Sequence, residues 1–229
     1  MDLGRDTGRS PVVMLHGLFT GSAASWFFTA APALARTRRV RLPDWRGHGL
    51  TERTPTGYDT ATMVDDLAAL TADLPPFAIA GHSYGATVAV RFARAHPGRV
   101  TALALVDPPF VQIDARWYAA QGENAQGEDA VRGEDAVRSR IADLLARTSL
   151  RDDLAADPPV TAAELAELAG LPMLAVVGSG SPFRPAADLV GRALPAARRH
   201  VLAGGHDLHI TARARLTPLL GAFLEESHA

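Results

Sequence analysis

The sequence predicts an α/β fold: a doubly wound, mostly parallel sheet of about six strands, with a small helical lid over the strand ends. Three observations predict it. Short continuous apolar runs, such as Val12-Val13-Met14-Leu15, alternate with segments of helical period. Nearly every polar motif falls directly after one of those runs, where doubly wound sheets carry their chemistry. The 229 residues, 47% hydrophobic, are enough for one domain with a sizeable core.

In chain order, residues 12–15 form the first strand, ending in His16-Gly17-Leu18-Phe19-Thr20-Gly21-Ser22. Its glycines allow a loop whose backbone N–H groups turn into a site. A helix is expected over 23–36, capped by Ser22 or Ser25. Residues 39–43 are the second strand, ending in Asp44-Trp45-Arg46-Gly47-His48-Gly49. Met63, Leu67, Leu70 and Leu74 at helical spacing place an amphipathic helix over 60–74, stopped by Pro75-Pro76. The third strand, Phe77-Ala78-Ile79-Ala80, enters Gly81-His82-Ser83-Tyr84-Gly85 and then a helix closed by Pro97-Gly98. Residues 100–106 are the fourth strand, ending in Asp107-Pro108-Pro109. Residues 172–177 are the fifth, ending in Gly178-Ser179-Gly180-Ser181-Pro182. Residues 198–202 are the sixth, ending in Gly204-Gly205-His206-Asp207, and a last helix covers 210–225.

The segment between the fourth and fifth strands is too long for an ordinary crossover. The chain therefore divides into a core, 1–109 and 172–229, and a lid insertion, 110–171. Trp117 and Tyr118 lie near the start of the insertion, and Ile141, Leu144 and Leu145 follow at helical spacing. Between them Gly-Glu-Asp-Ala-Val-Arg occurs twice in tandem, at 127–132 and 133–138. A hexapeptide repeated twice is too short for a solenoid. It reads as a duplication at the solvated outer edge of the lid.

Composition removes several classes of function. The formal charge is −2, so no nucleic acid or other polyanion is expected as a partner. All 23 basic residues are Arg. Cysteine is absent, which excludes disulfides, thiolate metal sites and a cysteine nucleophile. Residues 1–10 are polar, without the apolar core of a signal peptide, and no apolar run approaches the ~20 residues of a membrane span. The expectation is a soluble cytoplasmic protein without a membrane partner.

The chemistry centres on residues 81–85. Gly-x-Ser-x-Gly between a strand and a helix is the sequence form of a nucleophile elbow. The turn strains the serine backbone and needs small residues at Gly81 and Gly85. It presents the Ser83 hydroxyl at a helix N-terminus, where developing negative charge is favoured. Such a serine needs a base within reach and a carboxylate to orient that base.

Taken together, His16-Gly17, Asp44-x-Arg46-Gly47-x-Gly49, Gly81-His82-Ser83-Tyr84-Gly85 and Gly205-His206 resemble the α/β-hydrolase superfamily, over residues 12–225. The resemblance implies Ser83 as nucleophile and His206 as general base, with His209 the runner-up. It implies the backbone N–H groups of Leu18 and Tyr84 as the oxyanion hole. His16 and His82 are expected to bond loop backbone, and His48 to be structural. No histidine pair has metal-ligand spacing, so neither a metal nor a cofactor is expected.

The sequence departs from the family in two places. Most members carry the acid in a turn after the fifth strand, where this chain has Gly178-Ser179-Gly180-Ser181 and no carboxylate until Asp188. A second family solution, in haloalkane dehalogenases and some lipases, puts the acid one strand earlier, at the place of Asp107. An Asp capping the turn into Pro108-Pro109 and Asp114 in the lid are the alternatives. The family's N-terminal hairpin also has no room before Val12. The sheet edge this leaves is expected to be covered by a partner subunit, making a homodimer, or by the polar N-terminus.

The implied activity is that of a serine hydrolase acting on an ester or thioester of a small hydrophobic acyl substrate. Phe19, Phe110, Trp117 and Tyr118, with Trp26, would line its apolar pocket. Arg46 and Arg184 stand in strand-end loops where an anion would meet them. Serine at position 83 speaks against epoxide hydrolase and haloalkane dehalogenase chemistry, which use a carboxylate nucleophile. The alternatives are a cofactor-free lyase, cyclase or carbon–carbon bond hydrolase on the same scaffold, or a ligand-binding homologue without turnover.

Overall fold

Along each apolar run, successive side chains point to opposite sides of a sheet, and in this chain both sides are apolar. The computed structural model describes residues 1–19, 21–110 and 132–227. Its strands are β1 (Asp2–Leu3), β2 (Val12–Leu15), β3 (Val40–Arg41), β4 (Phe77–His82), β5 (Val100–Val106), β6 (Met173–Gly178) and β7 (Arg198–Leu202). They form one seven-stranded sheet in the order β1-β3-β2-β4-β5-β6-β7. All neighbours are parallel except β1 and β3.

The helices are α1 (Ala23–Phe27), α2 (Ala31–Leu34), α3 (Thr60–Leu70), α4 (Tyr84–Ala95), α5 (Arg132–Arg147), α6 (Leu150–Ala156), α7 (Ala162–Ala166), α8 (Ala186–Ala193), α9 (Leu208–Thr211) and α10 (Arg213–Glu226). On one face of the sheet Val13, Leu15, Ile79, Leu103 and Leu105 pack with Met63 and Leu67 of α3, Val88 and Phe92 of α4 and Val190 of α8. On the other, Val12, Met14, Ala78, Ala104 and Val176 pack with Trp26 of α1, Leu34 of α2 and Leu220 and Phe223 of α10. From β2 the chain winds to β3 on one side, then returns to β4 on the other. The ends of β2 and β4 therefore flank the topological switch point, where such sheets open a crevice.

The N-terminus accounts for the seventh strand. Asp2 pairs with Arg41 and Leu3 with Val40, antiparallel. The Asp2 carboxylate accepts hydrogen bonds from Arg39 and Arg41, and the Met1 ammonium donates to the Leu42 carbonyl at 2.9 Å. Of the two expected covers for this edge, the N-terminus supplies one. The argument for a partner subunit there falls away.

Other differences are local. The helix expected over 23–36 is two, because Pro32 stands at the start of α2 and has no N–H to continue a helix from α1. The helix expected to reach residue 74 ends at Leu70, and Thr71 Oγ1 donates back to the Leu67 carbonyl at 2.7 Å. The last helix breaks at Ala212 into α9 and α10. Among the described residues, no helix is long and apolar enough to cross a membrane.

Candidate active site

Ser83 joins β4 to α4 with φ 53° and ψ −126°, in the left-handed region that an L-residue occupies only under constraint. The constraint is the close approach of strand and helix. A Cβ on Gly81 would stand 2.5 Å from the Gly85 carbonyl oxygen, and one on Gly85 2.8 Å from that of His16. Ser83 occupies the N-cap of α4 but makes no capping bond with its side chain. Its hydroxyl lies instead 2.9 Å from His206 Nε2.

Asp107 directly follows β5 and is fully buried. Its Oδ2 lies 2.7 Å from His206 Nδ1. A carboxylate only accepts, so Nδ1 carries the proton and Nε2 accepts from the Ser83 hydroxyl. Asp107 Oδ1 accepts the Gly178 N–H at 2.8 Å, and the Ser181 hydroxyl donates to Oδ2. The last residue of β6 and the turn after it, which has no carboxylate of its own, thus supply one donor each to the carboxylate beyond the neighbouring strand. The same turn holds the loop that carries His206. Gly180 N–H donates to the Gly204 carbonyl at 2.9 Å, and a Cβ on Gly178 would stand 2.2 Å from the Gly205 oxygen. Ser181 and Gly178 escaped sequence reasoning. Their signal was indirect: a buried carboxylate has more acceptor sites than one imidazole N–H fills. Asp114 lies outside the described residues.

Among the described residues, Phe19, Ser83 and Asp107 are the non-glycine residues with positive φ, and each follows a strand or its first loop residues. Gly17 sits against the serine, since a Cβ there would be 2.9 Å from Ser83 Cβ and 3.4 Å from Oγ. The Leu18 N–H that follows, and the Tyr84 N–H at the first position of α4, have no hydrogen-bond acceptor among the described residues. The loop is fixed from behind. Phe19 N–H donates to His48 Nε2 at 3.0 Å, and Trp45 N–H to His16 Nε2 at 3.1 Å. His16 Nδ1 lies 2.6 Å from the Gly17 carbonyl; burial lowers the pKa of this ring to about 4 and keeps it neutral. The Tyr84 hydroxyl donates to Asp157 at 2.6 Å and lies 2.7 Å from Thr60 Oγ1. Burial, then the Asp157 carboxylate, push its pKa well up.

His82 Nε2 donates to the His206 carbonyl at 3.0 Å, from behind the His206 ring. Burial, with His209 and His206 alongside, pushes the His82 pKa well down. His209, the runner-up base, packs on Trp26 with ring centroids 4.9 Å apart and makes no hydrogen bond to Ser83. The aromatic residues divide. Phe19 lines a cavity of about 100 Å³ with Ser22, His48, Arg53, Arg140 and Leu144, a more polar wall than the sequence suggested. Phe110 is buried in the core, and so is Trp26, whose indole N–H donates to the Leu15 carbonyl at 3.0 Å. Trp117 and Tyr118 lie outside the described residues. Arg46 is engaged by both oxygens of Asp66 and is not open to an anion. Arg184 is exposed beside α8.

A family model described as alpha/beta hydrolase fold matches residues 10–164. A non-heme chloroperoxidase from Streptomyces lividans is 41% identical over 104 residues, 43% of this chain and 37% of that protein. A pimeloyl-[acyl-carrier protein] methyl ester esterase from Chromobacterium violaceum is 35% identical over 158 residues, 65% of this chain and 59% of that protein. Among the first curated relatives the matched stretch spans between 34% and 59% of their own length. A thermophilic esterase from Thermogutta terrifontis has a TM-score of 0.76 at 22% identity, covering 100% of this chain and 93% of that one. At that identity the likeness is one of fold.

Proposed function

The chain belongs to the α/β-hydrolase fold family, and from that premise we propose that it is a serine hydrolase, cleaving an ester or thioester of a small hydrophobic acyl substrate through an acyl-enzyme on Ser83. The observation that carries this reading is the continuous line of hydrogen bonds from Ser83 Oγ through His206 to Asp107. In the first step His206 Nε2 takes the hydroxyl proton as Oγ bonds to the substrate carbonyl carbon. Asp107 holds the imidazole in the required tautomer and stabilises the imidazolium. The Leu18 and Tyr84 N–H groups receive the developing oxyanion, each lowering the barrier by roughly 3 kcal/mol. Collapse expels the alcohol or thiol, which takes its proton from His206. Water, deprotonated by the same nitrogen, then attacks the acyl-enzyme, and the acid leaves as Ser83 regains its proton. Residues 110–171 act as the lid in this reading; α5 already contributes Arg140 and Leu144 to the cavity beside Phe19.

Fluorophosphonate labelling, followed by turnover of p-nitrophenyl esters of increasing acyl length, tests the proposal. Both activities are expected in the wild type, and Ser83→Ala is expected to abolish both. Labelling without ester turnover would point instead to a lyase, cyclase or carbon–carbon bond hydrolase. No labelling of folded protein would point to a ligand-binding homologue.

A further inference from the structure

His209 presents an accounting problem. Its Nδ1 is shut off from water and has no hydrogen-bond partner. The residue is 3% exposed. A buried polar atom left in that state is destabilising, and in native proteins it usually marks a partner such as a water or an ion. The surroundings favour an ion. The rings of His209 and His82 are 4.0 Å apart between centroids, and Asp207 Oδ1 is 3.9 Å from His82 Nε2. One ligand atom from each of His82, Asp207 and His209 lies within 4.8 Å of the other two.

We propose that His82, Asp207 and His209 bind a divalent transition-metal ion of the zinc class, directly behind the His206 loop. Two imidazoles and one carboxylate are a donor set that suits zinc better than magnesium or calcium. With bonds of ~2.0–2.2 Å, the ligand atoms of a tetrahedral site stand a little over ~3 Å apart, so the three groups need to close by about an ångström. Asp207 is the member that moves. Its side chain is 54% exposed and makes no capping bond to α9, and it gives the ion a path from solvent. The His206 carbonyl oxygen, 3.0 Å from His82 Nε2, stands where a fourth ligand is needed. Ligation through Nε2 replaces that hydrogen bond, and the His82 proton moves to Nδ1. Both rings are already in the neutral form that ligates: burial lowers the pKa of His209 to about 3 and that of His82 well below its ordinary value. Spacing in the sequence could not reveal the site, because the ligands come from the end of β4 and from the start of α9. It shares no side chain with the Ser83–His206–Asp107 line, so it stands or falls independently of the hydrolase reading.

Calorimetric titration of chelator-stripped protein with zinc chloride tests it. One saturable site is expected in the wild type. Asp207→Asn should weaken that site by roughly tenfold or more, and His209→Gln should remove it. Circular dichroism and thermal melting establish that both variants are folded; Asp207 is exposed enough for its variant to keep the fold in any case. Cobalt in place of zinc should show the visible absorption of a tetrahedral site, and Asp207→Asn should change it. Absence of a saturable site in the wild type overturns the proposal. So does an isotherm that Asp207→Asn leaves unchanged, which would assign the zinc to surface histidines such as His96 and His200.

Discussion

At Asp107 the backbone itself is part of the arrangement. The residue has φ 49° and is fully buried, and its carboxylate takes bonds from Gly178 N–H, Ser181 and His206. If it orients the base, Asp107→Asn leaves the shape intact but spoils the tautomer, and kcat should fall by about 10⁴-fold. Ester turnover, with a circular dichroism spectrum matching wild type, checks this. Ser181→Ala removes one of the three donors. It should cost about 1–2 kcal/mol in urea denaturation and lower kcat far less than Asp107→Asn does. Unchanged stability in that variant would mean that the turn after β6 does not brace the carboxylate. Ser83 and His206 were legible because each sits in a local motif. Asp107 was legible only through its place at a strand end, since nothing in Asp107-Pro108-Pro109 separates an acid from a turn cap. Ser181 was not legible, because a serine in a glycine-rich turn carries no mark of the carboxylate it meets across the sheet.

Elements show the same division between local and distant causes. The sequence offers Ser22 or Ser25 to cap α1, yet Ser22 makes no capping bond and the Ser25 hydroxyl donates to the Ser22 carbonyl. The Ala23 N–H is taken at 2.6 Å by Asp44 Oδ1, from the loop after β3. Local reading finds local caps and misses one delivered by another strand. α6 and the residue that ends it are tied in likewise. Asp157 accepts from Tyr84 and from Thr60 N–H at 2.9 Å, and pairs with Arg91. Asp153 accepts from Tyr58 N–H at 2.8 Å. Asp157→Ala leaves Thr60 N–H without its acceptor and the buried Tyr84 hydroxyl with Thr60 Oγ1 in place of a carboxylate, and should destabilise the protein by about 1–3 kcal/mol. Because Tyr84 follows Ser83, the proposed nucleophile, kcat for ester turnover should fall with it while KM stays near wild type. Chemical denaturation and steady-state kinetics on the same preparation separate the two effects.

For the whole molecule, the alternation of apolar runs was enough to read the layers, since the interior strands β2, β4, β5 and β6 bury both faces and need helices on both. The edge was readable only as a choice between two covers, because β1 is two residues long and owes its pairing to Asp2 meeting Arg39 and Arg41 rather than to any apolar pattern. Charge burial also acts at this scale. His16 is held near 4, His209 near 3, and His82 well below its ordinary value, in each case chiefly by burial. In the unfolded chain these rings protonate near 6.5. Stability is therefore full above that pH and declines as pH falls toward the folded values, because the unfolded state binds protons first. His16 alone accounts for about 3 kcal/mol of that loss. Urea midpoints should fall between pH 6.5 and 4, and His16→Asn should flatten the slope.

Ser83 and Asp107 stand at the ends of two adjacent interior strands, whereas His206 rides on a glycine-flanked loop beyond the edge strand β7. Folding thus sets the distance between two of the three groups once, on the lifetime of the sheet. The third is set on the lifetime of a loop. Local opening of 203–207 needs no rupture of the β4–β5 ladder, so it belongs to the low-free-energy end of the native ensemble. Amide hydrogen exchange should then find the Gly205 and His206 amides trading with solvent far sooner than those of Ile79 and Leu103. The fraction of molecules ready to react at a given temperature would be fixed by that loop alone, long before the sheet begins to melt.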